Sequence, residues 1–587
     1  MIKKLTYNNQ IIVSLSAIAI GGLFFISILG TQIIKPTNIA WLMDGSDWPQ
    51  HFLGWHFFKN EPWQFPPGKL ISIQPPISTS IGYTDSIPII ALIFKLFANI
   101  LPHNFQYIGF WLLLCFCLQG FFGALLVSTV SRDFMTQLIG AGIFVISPIL
   151  LLRIGHPALC SHWILLAALW LYFRKRKDIS HINHLAPWIS IVFIGAAVHP
   201  TITVMILGLA FAYYLRLWLV DRAVKIRYCI LNFSVLISLT LLVWWLIGYF
   251  ELGQIGGSYG AYGVGDFSMN LLAPINPMAY GNWEGSWSTF LLSRPLTTDL
   301  QMDGFNYLGV GVIILALCVF YAAVTHPPEF ETIMPILPLA FLCISFTLLA
   351  LSYKITLGNH IIFEFKLNQE ILKALSIFRA SGRFFWPPYY SFLFLIITFI
   401  IRRNNAKIGL LMLAICLAFQ LADFQNIYNS PLLKELRNTR REWQNPLKSE
   451  VWSVIGENYD KVIIVPPLFY GEEPAVSYIP FAYLAANYGM STNSFYLARY
   501  NYVIHKEMTE KLISDIRSGV IDANAVYVLN KKYLRFLKSK AKMQAICSTI
   551  DGYNVCVSAR EKSMNYFIDK IKDISASPGN LDTTPNL

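Results

Sequence analysis

Eleven long apolar runs, separated by short polar stretches, dominate the chain up to about position 427. They lie near residues 10–34, 105–130, 137–152, 161–173, 186–199, 200–220, 229–250, 306–325, 333–353, 384–401 and 408–424. A membrane helix needs about 20 apolar residues, because the hydrocarbon core is ~30 Å thick and an α-helix rises ~1.5 Å per residue. The pattern therefore predicts a polytopic α-helical membrane protein with about eleven transmembrane helices. The first run follows Lys3 and Lys4 and lacks a small-residue cleavage site, which predicts a retained anchor with a cytoplasmic N-terminus. Beyond 428 the pattern changes. A polar linking helix over 433–450 precedes a strand at 462–465, a helix near 505–518, a strand at 525–529 and a hairpin at 545–558. The expected organisation is a membrane domain 1–427 with a first outer loop 35–104, a soluble extracytoplasmic α/β domain 428–574, and a disordered tail 575–587.

Composition supports this reading and excludes others. At 55% hydrophobic and 13% charged, the 587 residues carry about half the usual ~25% charge, so a soluble multi-domain enzyme is excluded. The net charge of +12 comes with no basic-aromatic patch and no zinc-finger spacing, so nucleic acid is set aside as a partner. Cytoplasmic loops collect Lys and Arg, and three clusters fix the orientation: Arg174 to Lys177, Arg222 with Lys225 and Arg227, and Arg402-Arg403 with Lys407. All three fall inside if 86–101, which contains Lys95 and ends at Pro102, lies along the outer interface instead of crossing. The cytoplasmic segments so drawn hold thirteen Lys and Arg against five Asp and Glu, a net of +8, so most of the basicity is topological. The runs contain almost no ionisable residues, which argues against an ion-coupled transporter.

Seven of the nine cysteines lie in or beside the apolar runs, and the other two stand in Cys547-Ser-Thr-Ile-Asp-Gly-Tyr-Asn-Val-Cys556. Asp551-Gly552 is a strong two-residue hairpin turn. Pairing outward from it sets Ile550 opposite Tyr553 and Cys547 opposite Cys556, on a non-hydrogen-bonded rung with Cα atoms ~4.5 Å apart, close enough for a disulfide. A disulfide implies an oxidising, extracytoplasmic compartment.

Candidate chemistry gathers on the outer side. Asp44 and Asp47, followed by His51, stand just after the first span; a carboxylate at the membrane boundary is a candidate general base, because desolvation raises its proton affinity. Asp47 is the stronger base candidate, whereas Asp44-Gly45 also suits a turn. Asp85 contacts a substrate or N-caps the interfacial helix. Arg153, His156 and His162 at one short turn, and Arg379 with Arg383 beside 384–387, suit a phosphate at headgroup depth or anchor to ordinary lipid phosphates. His199-Pro200 joins them or caps a break, and Asp303 touches a sugar or forms a turn. The Gly-rich stretch 256–266 lacks the Lys-Ser/Thr of a P-loop and reads as a flexible outer loop. No metal spacing is present, and neither metal nor cofactor is assigned.

The first span, the long outer loop with an early Asp, the interfacial helix, Ser147-Pro148 near the outer end of a span and Arg153 in the following polar turn together resemble the GT-C superfamily of membrane glycosyltransferases. The lipid A aminoarabinose transferase and the protein O-mannosyltransferases are the nearest well-known types. Asp47-Trp-Pro-Gln-His51, Phe378-Arg-Ala-Ser-Gly-Arg383 and Thr492-Asn-Ser-Phe-Tyr-Leu-Ala-Arg499-Tyr look like a bacterial branch of that superfamily. The resemblance implies inverting transfer from a polyprenyl-phosphate-linked sugar to a glycan, lipid or protein acceptor at the outer face of the bacterial cytoplasmic membrane. It makes Asp47 the base, Asp44 its alternative, and Arg153 a phosphate ligand. Charge and sidedness add His156, His162, Arg379 and Arg383 to the phosphate set, and His51, Asp85, His199 and Asp303 as acceptor or sugar contacts. The characterised types often carry an acidic residue in the turn after Arg153, where this chain has His156 and His162. The competing readings are a carrier or flippase for a lipid-linked glycan, and an inactive scaffold that binds envelope glycan.

Overall fold

The computed structural model describes residues 2–44, 47–174, 181–251, 263–278, 286–327, 333–438, 442–468, 473–540 and 545–558. The tail 575–587 and most of the Gly-rich stretch lie outside them. The chain divides into two units: Met1–Trp41, Pro102–Trp245 and Tyr259–Arg441 form the first, and Leu42–Leu101, Leu246–Ser258 and Glu442–Leu587 the second.

Every apolar run is helical: Ile2–Leu29, Ile108–Val127, Phe134–Val145, Trp163–Phe173, His181–Val198, Pro200–Leu219, Ile226–Ile247, Val310–Thr325, Leu337–Leu351, Trp386–Arg403 and Ala406–Asp423. Seven helical segments among the described residues are long and apolar enough to cross a membrane, or eight if the pair Phe134–Val145 and Pro148–Gly155, bent by 45°, is one span. Three more helical segments, Pro157–Phe173, His184–Val198 and Val310–Thr325, are apolar but shorter. The bend follows from Pro148, which has no N–H to continue the helical ladder. Helices Ile2–Leu29 and Ile108–Val127 pack with backbones almost touching: a Cβ on Gly21 would collide with the Phe116 carbonyl, and one on Gly120 with the Ala17 carbonyl. Small residues allow such approach, and close van der Waals contact is the main attraction available between helices in lipid.

The second unit centres on a five-stranded sheet of Lys461–Val465 (β1), Ser491–Thr492 (β2), Ala525–Leu529 (β3), Ala545–Ile550 (β4) and Tyr553–Ser558 (β5), in the order β2-β1-β3-β5-β4. The first three strands are parallel, so each connection returns through a helix: Ile479–Tyr488, then Tyr502–Ser518. The latter starts at Asn501, whose side chain accepts from the Ile504 amide, and stops at Gly519, whose φ of +80° suits glycine. Its buried positions His505, Thr509, Ile513 and Ile516 follow the helical period and face the sheet core around Val465, Tyr527 and Cys556.

The hairpin forms in the expected register, with Ile550 opposite Tyr553 and Cys547 opposite Cys556, and the two cysteines are joined in a disulfide. Replacing both by alanine is expected to lower unfolding free energy by about 2–3 kcal/mol, the loop-closure entropy of so short a ring. Denaturant titration in detergent measures this, and a change below about 0.5 kcal/mol would contradict it.

Three expectations change. The pattern assigned the whole first outer loop, 35–104, to the membrane domain and drew the boundary at 427; instead 42–101 groups with the C-terminal residues, and the boundary falls at Arg441. The reason is helix Trp48–Asn60, which is buried along nearly its whole length. His56 stacks on Tyr483 with centroids 5.4 Å apart and pairs with Asn487 Oδ1 at 2.6 Å, while Asn60 donates to the Ala486 carbonyl. The expected linking helix 433–450 shrinks to Pro431–Arg437, capped by Ser430, and 442–450 contains no helix. Within 86–101 the structure has a short helix Pro88–Lys95 and a turn Ala98–Ile100, with the Lys95 ammonium 3.9 Å from the Phe58 ring centroid.

Candidate functional site

Three short 3₁₀ turns of the first unit carry the principal charged residues. Leu152–Gly155, which follows the Pro148 bend, holds Arg153; Asp299–Gly304 holds Asp303; and Ser381–Phe385 holds Arg383. Glycines bring the last two together: a Cβ on Gly382 would collide with Gly304 Cα, and the Asn306 amide donates to the Gly304 and Gly382 carbonyls, both at 3.0 Å.

Asp303 is thereby clasped by both arginines. Arg153 Nη1 donates to Asp303 Oδ1 at 2.7 Å and Nη2 to its carbonyl at 3.0 Å, while Arg383 Nη2 reaches Oδ1 at 2.9 Å and Oδ2 at 3.0 Å. The Arg153 side chain is 1% exposed, those of Asp303 and Arg383 about 15% and 14%. Burial alone pushes the Asp303 carboxyl up, but Arg383 and Arg153, with His156 adding to them, hold it well below the usual carboxylate range. The cluster keeps a net charge of +1, two guanidinium groups against one carboxylate. Both Asp303 carboxylate oxygens thus accept from arginine.

A polar relay adjoins the cluster. Gln119 Nε2 donates to the Tyr390 hydroxyl at 3.1 Å and to the Phe144 carbonyl at 3.2 Å, which fixes the amide orientation. The hydroxyl is in turn hydrogen-bonded with His162 Nδ1 at 2.8 Å. The His162 ring lies 4.2 Å from the Trp386 ring, over which the Arg153 guanidinium also sits at 5.5 Å. Arg153 Nε and Trp386 Nε1 are buried donors, and His162 Nε2 a buried ring nitrogen, without a hydrogen-bond partner among the described residues. Unpartnered buried donors beside net positive charge suit an anionic oxygen.

The remaining candidates separate. Arg379 lies over Phe267, its guanidinium 5.3 Å from that ring. His199 caps helix Pro200–Leu219, its Nδ1 accepting from the Thr201 amide. Asp47, Asp44, His51 and Asp85 belong to the second unit. Asp47 occupies the N-cap position of Trp48–Asn60 without a side-chain cap bond. Burial first, and the Asp47 charge second, push the Tyr478 phenol up. Asp44 is exposed, and Gly45 of its expected turn lies outside the described residues. His51 donates from Nδ1 to the Asp85 carbonyl at 2.9 Å. Asp85 is not the N-cap of the next helix; Ile87 holds that position with φ +53°. Among the described residues no group of three His, Cys, Asp or Glu is placed to hold a metal ion.

One carboxylate was missed. Asp423 closes the last apolar run, buried at 2% exposure, and accepts from the Tyr307 hydroxyl at 2.7 Å, the Val310 amide at 3.1 Å and the Ser288 hydroxyl. With Gln420 Oε1, which accepts from the Gly311 amide at 3.0 Å, it satisfies the start of helix Val310–Thr325. The signal was an acidic residue inside a run otherwise empty of charge.

A family described as a domain of unknown function, DUF6311, matches residues 18–425, and the DUF6311 C-terminal domain matches 451–558. No curated protein matches the chain. The first match covers more than half of the chain, and the second falls on the sheet that carries the disulfide: the chain belongs to the DUF6311 family.

Proposed function

We propose that the chain is an integral-membrane glycosyltransferase that moves a sugar from a polyprenyl-phosphate-linked donor to a cell-envelope acceptor, with inversion. The observation that carries the reading is the convergence of Arg153 and Arg383, 230 residues apart, on one carboxylate with a net charge of +1 and buried donors to spare. The donor phosphodiester carries one negative charge and leaves as a phosphate monoester that gains a second. Fixed positive charge and N–H groups in a site shielded from water stabilise that developing charge. Asp47, in the role the resemblance gives it, takes the proton from the acceptor hydroxyl as its oxygen attacks the anomeric carbon.

The same proposal runs all eleven apolar helices through or into the bacterial cytoplasmic membrane, with the N-terminus inside and the second unit outside. The disulfide and the placement of the Lys and Arg clusters support that sidedness. Asp47→Asn is expected to lower transfer by about 10²- to 10⁴-fold in membranes supplied with polyprenyl-phosphate sugars, with unfolding midpoint unchanged. Unchanged transfer would remove Asp47 as the base. One observation favours a second reading: Asp303 already engages both guanidinium groups, as a purely structural clamp in an inactive scaffold would. Binding of undecaprenyl phosphate to the purified protein separates the two, since the enzyme takes it and the clamp does not.

A further inference from the structure

The second unit contains a cleft of about 360 Å³ that the transfer chemistry does not use. One wall is β1 with β2, another is the face of helix Tyr502–Ser518, and the turn Gln74 to Ile77 closes the end. That turn is held by its backbone: Ile73 pairs in parallel with Thr492, and the Gln74 amide donates to the Thr492 carbonyl at 2.7 Å. Gln74 itself adopts φ +53°, a conformation uncommon for a non-glycine residue and costly unless the surroundings impose it.

Most polar lining groups are already spent. Asn493 exchanges two hydrogen bonds with the Ile464 backbone, Thr509 donates to the His505 carbonyl, and Lys461 pairs with Asp522 at 2.7 Å, so the rim charges cancel. Two side chains remain. His505 is 5% exposed with neither ring nitrogen hydrogen-bonded, and Gln74 is 4% exposed with Nε2 unpaired, among the described residues. A buried polar atom left unpaired is destabilising, so two such side chains lining one cleft are an arrangement that a ligand would relieve.

Their chemistry specifies the ligand. Burial lowers the His505 pKa to about 4, so at neutral pH the ring presents one donor and one acceptor, and Gln74 adds a donor. A hydroxyl is both donor and acceptor, whereas a carboxylate or phosphate would leave one imidazole nitrogen unmatched and meet no net positive rim. The aliphatic wall of Pro75, Pro76, Ile77 and Leu512 favours a ligand with an apolar face. We propose that this cleft binds a neutral hydroxylated ring, a mono- or disaccharide, through Gln74 and His505. Both side chains lie just behind the cleft surface, and Met508, unbranched and half-buried on the same wall, is the adaptable residue that yields to the ligand.

Saturation-transfer NMR on the full-length protein in detergent tests this with glucose, N-acetylglucosamine and maltose as neutral probes, and glucuronic acid and glucose 6-phosphate as anionic ones. At least one neutral probe is expected to bind with millimolar or tighter Kd, and to bind at least tenfold more weakly to His505→Phe and to the cleft-filling Met508→Trp. The anionic probes are expected to bind at least tenfold more weakly than that neutral probe. Equal binding by Met508→Trp with its unfolding midpoint retained, preference for the anionic probes, or no neutral binding at all would overturn the proposal. Polyprenyl-phosphate binding to the same samples reports on the first unit independently, so failure here is distinguishable from failure of the transfer reading.

Discussion

Asp303→Ala is expected to lower the unfolding free energy by about 3–5 kcal/mol, the cost of leaving a buried charge without its partner. Arg153 is the charge stranded: its side chain is almost wholly shielded and its Nη1 and Nη2 both point at Asp303. Replacing the whole cluster, Arg153→Met with Asp303→Leu and Arg383→Leu, is expected to recover most of that stability, since well-packed apolar residues often equal a buried ion pair. Under the transfer reading the triple variant folds and is inactive. Thermal and denaturant unfolding in detergent measure the first statement, and sugar transfer the second. If Asp303→Ala loses less than about 1 kcal/mol, the cluster is solvated and the electrostatic argument fails.

Acid titration gives a second reading of the same group. Asp303 is held below its unfolded value of ~3.9, so its contribution is fully present above about pH 4 and is lost as pH falls through the lower folded value. The stability gap between the protein and Asp303→Asn is therefore expected to be constant from pH 7 to about 5 and to close below about 4. A gap independent of pH down to 2 would contradict the pairing.

Asp423→Ala is expected to cost about 3 kcal/mol or more. The substitution strands the Tyr307 hydroxyl, the Ser288 hydroxyl and the first amide of helix Val310–Thr325 where water does not reach them. Each unpaired buried group costs about 1–3 kcal/mol. Asp423→Asn keeps one acceptor oxygen but turns an amide donor toward groups that are themselves donors, so it is expected to recover less than half of the loss. Unfolding within about 0.5 kcal/mol of the unaltered protein would show that the carboxylate is dispensable.

Asp423 also marks where sequence reading reached its limit. Apolar runs revealed the helices one by one, but capping of helix Val310–Thr325 by Asp423 and Gln420 joins residues more than a hundred positions apart. Asp303 shows the same limit. Charge and sidedness singled out Arg153 and Arg383 separately and placed both near one function, yet the carboxylate between them read as a sugar contact or a turn, because its pairing with both arginines has no signature along the chain. The relay of Gln119, Tyr390 and His162 draws on three separate helical segments, and no spacing along the chain encodes it.

The sequence by itself determined the features governed by short-range rules. Apolar runs become helices because a backbone in lipid must satisfy its own hydrogen bonds, and alternating strands with helices beyond 450 become an α/β sheet. The disulfide register followed from Asp551-Gly552, since a two-residue turn fixes which residues face each other. Only the tertiary structure decided where each helix starts and stops, why 42–101 joins the C-terminal residues, and which partner each buried polar group takes. Those outcomes depend on desolvation and packing between distant segments: a guanidinium removed from water binds the carboxylate that folding brings to it, wherever that carboxylate stands in the chain.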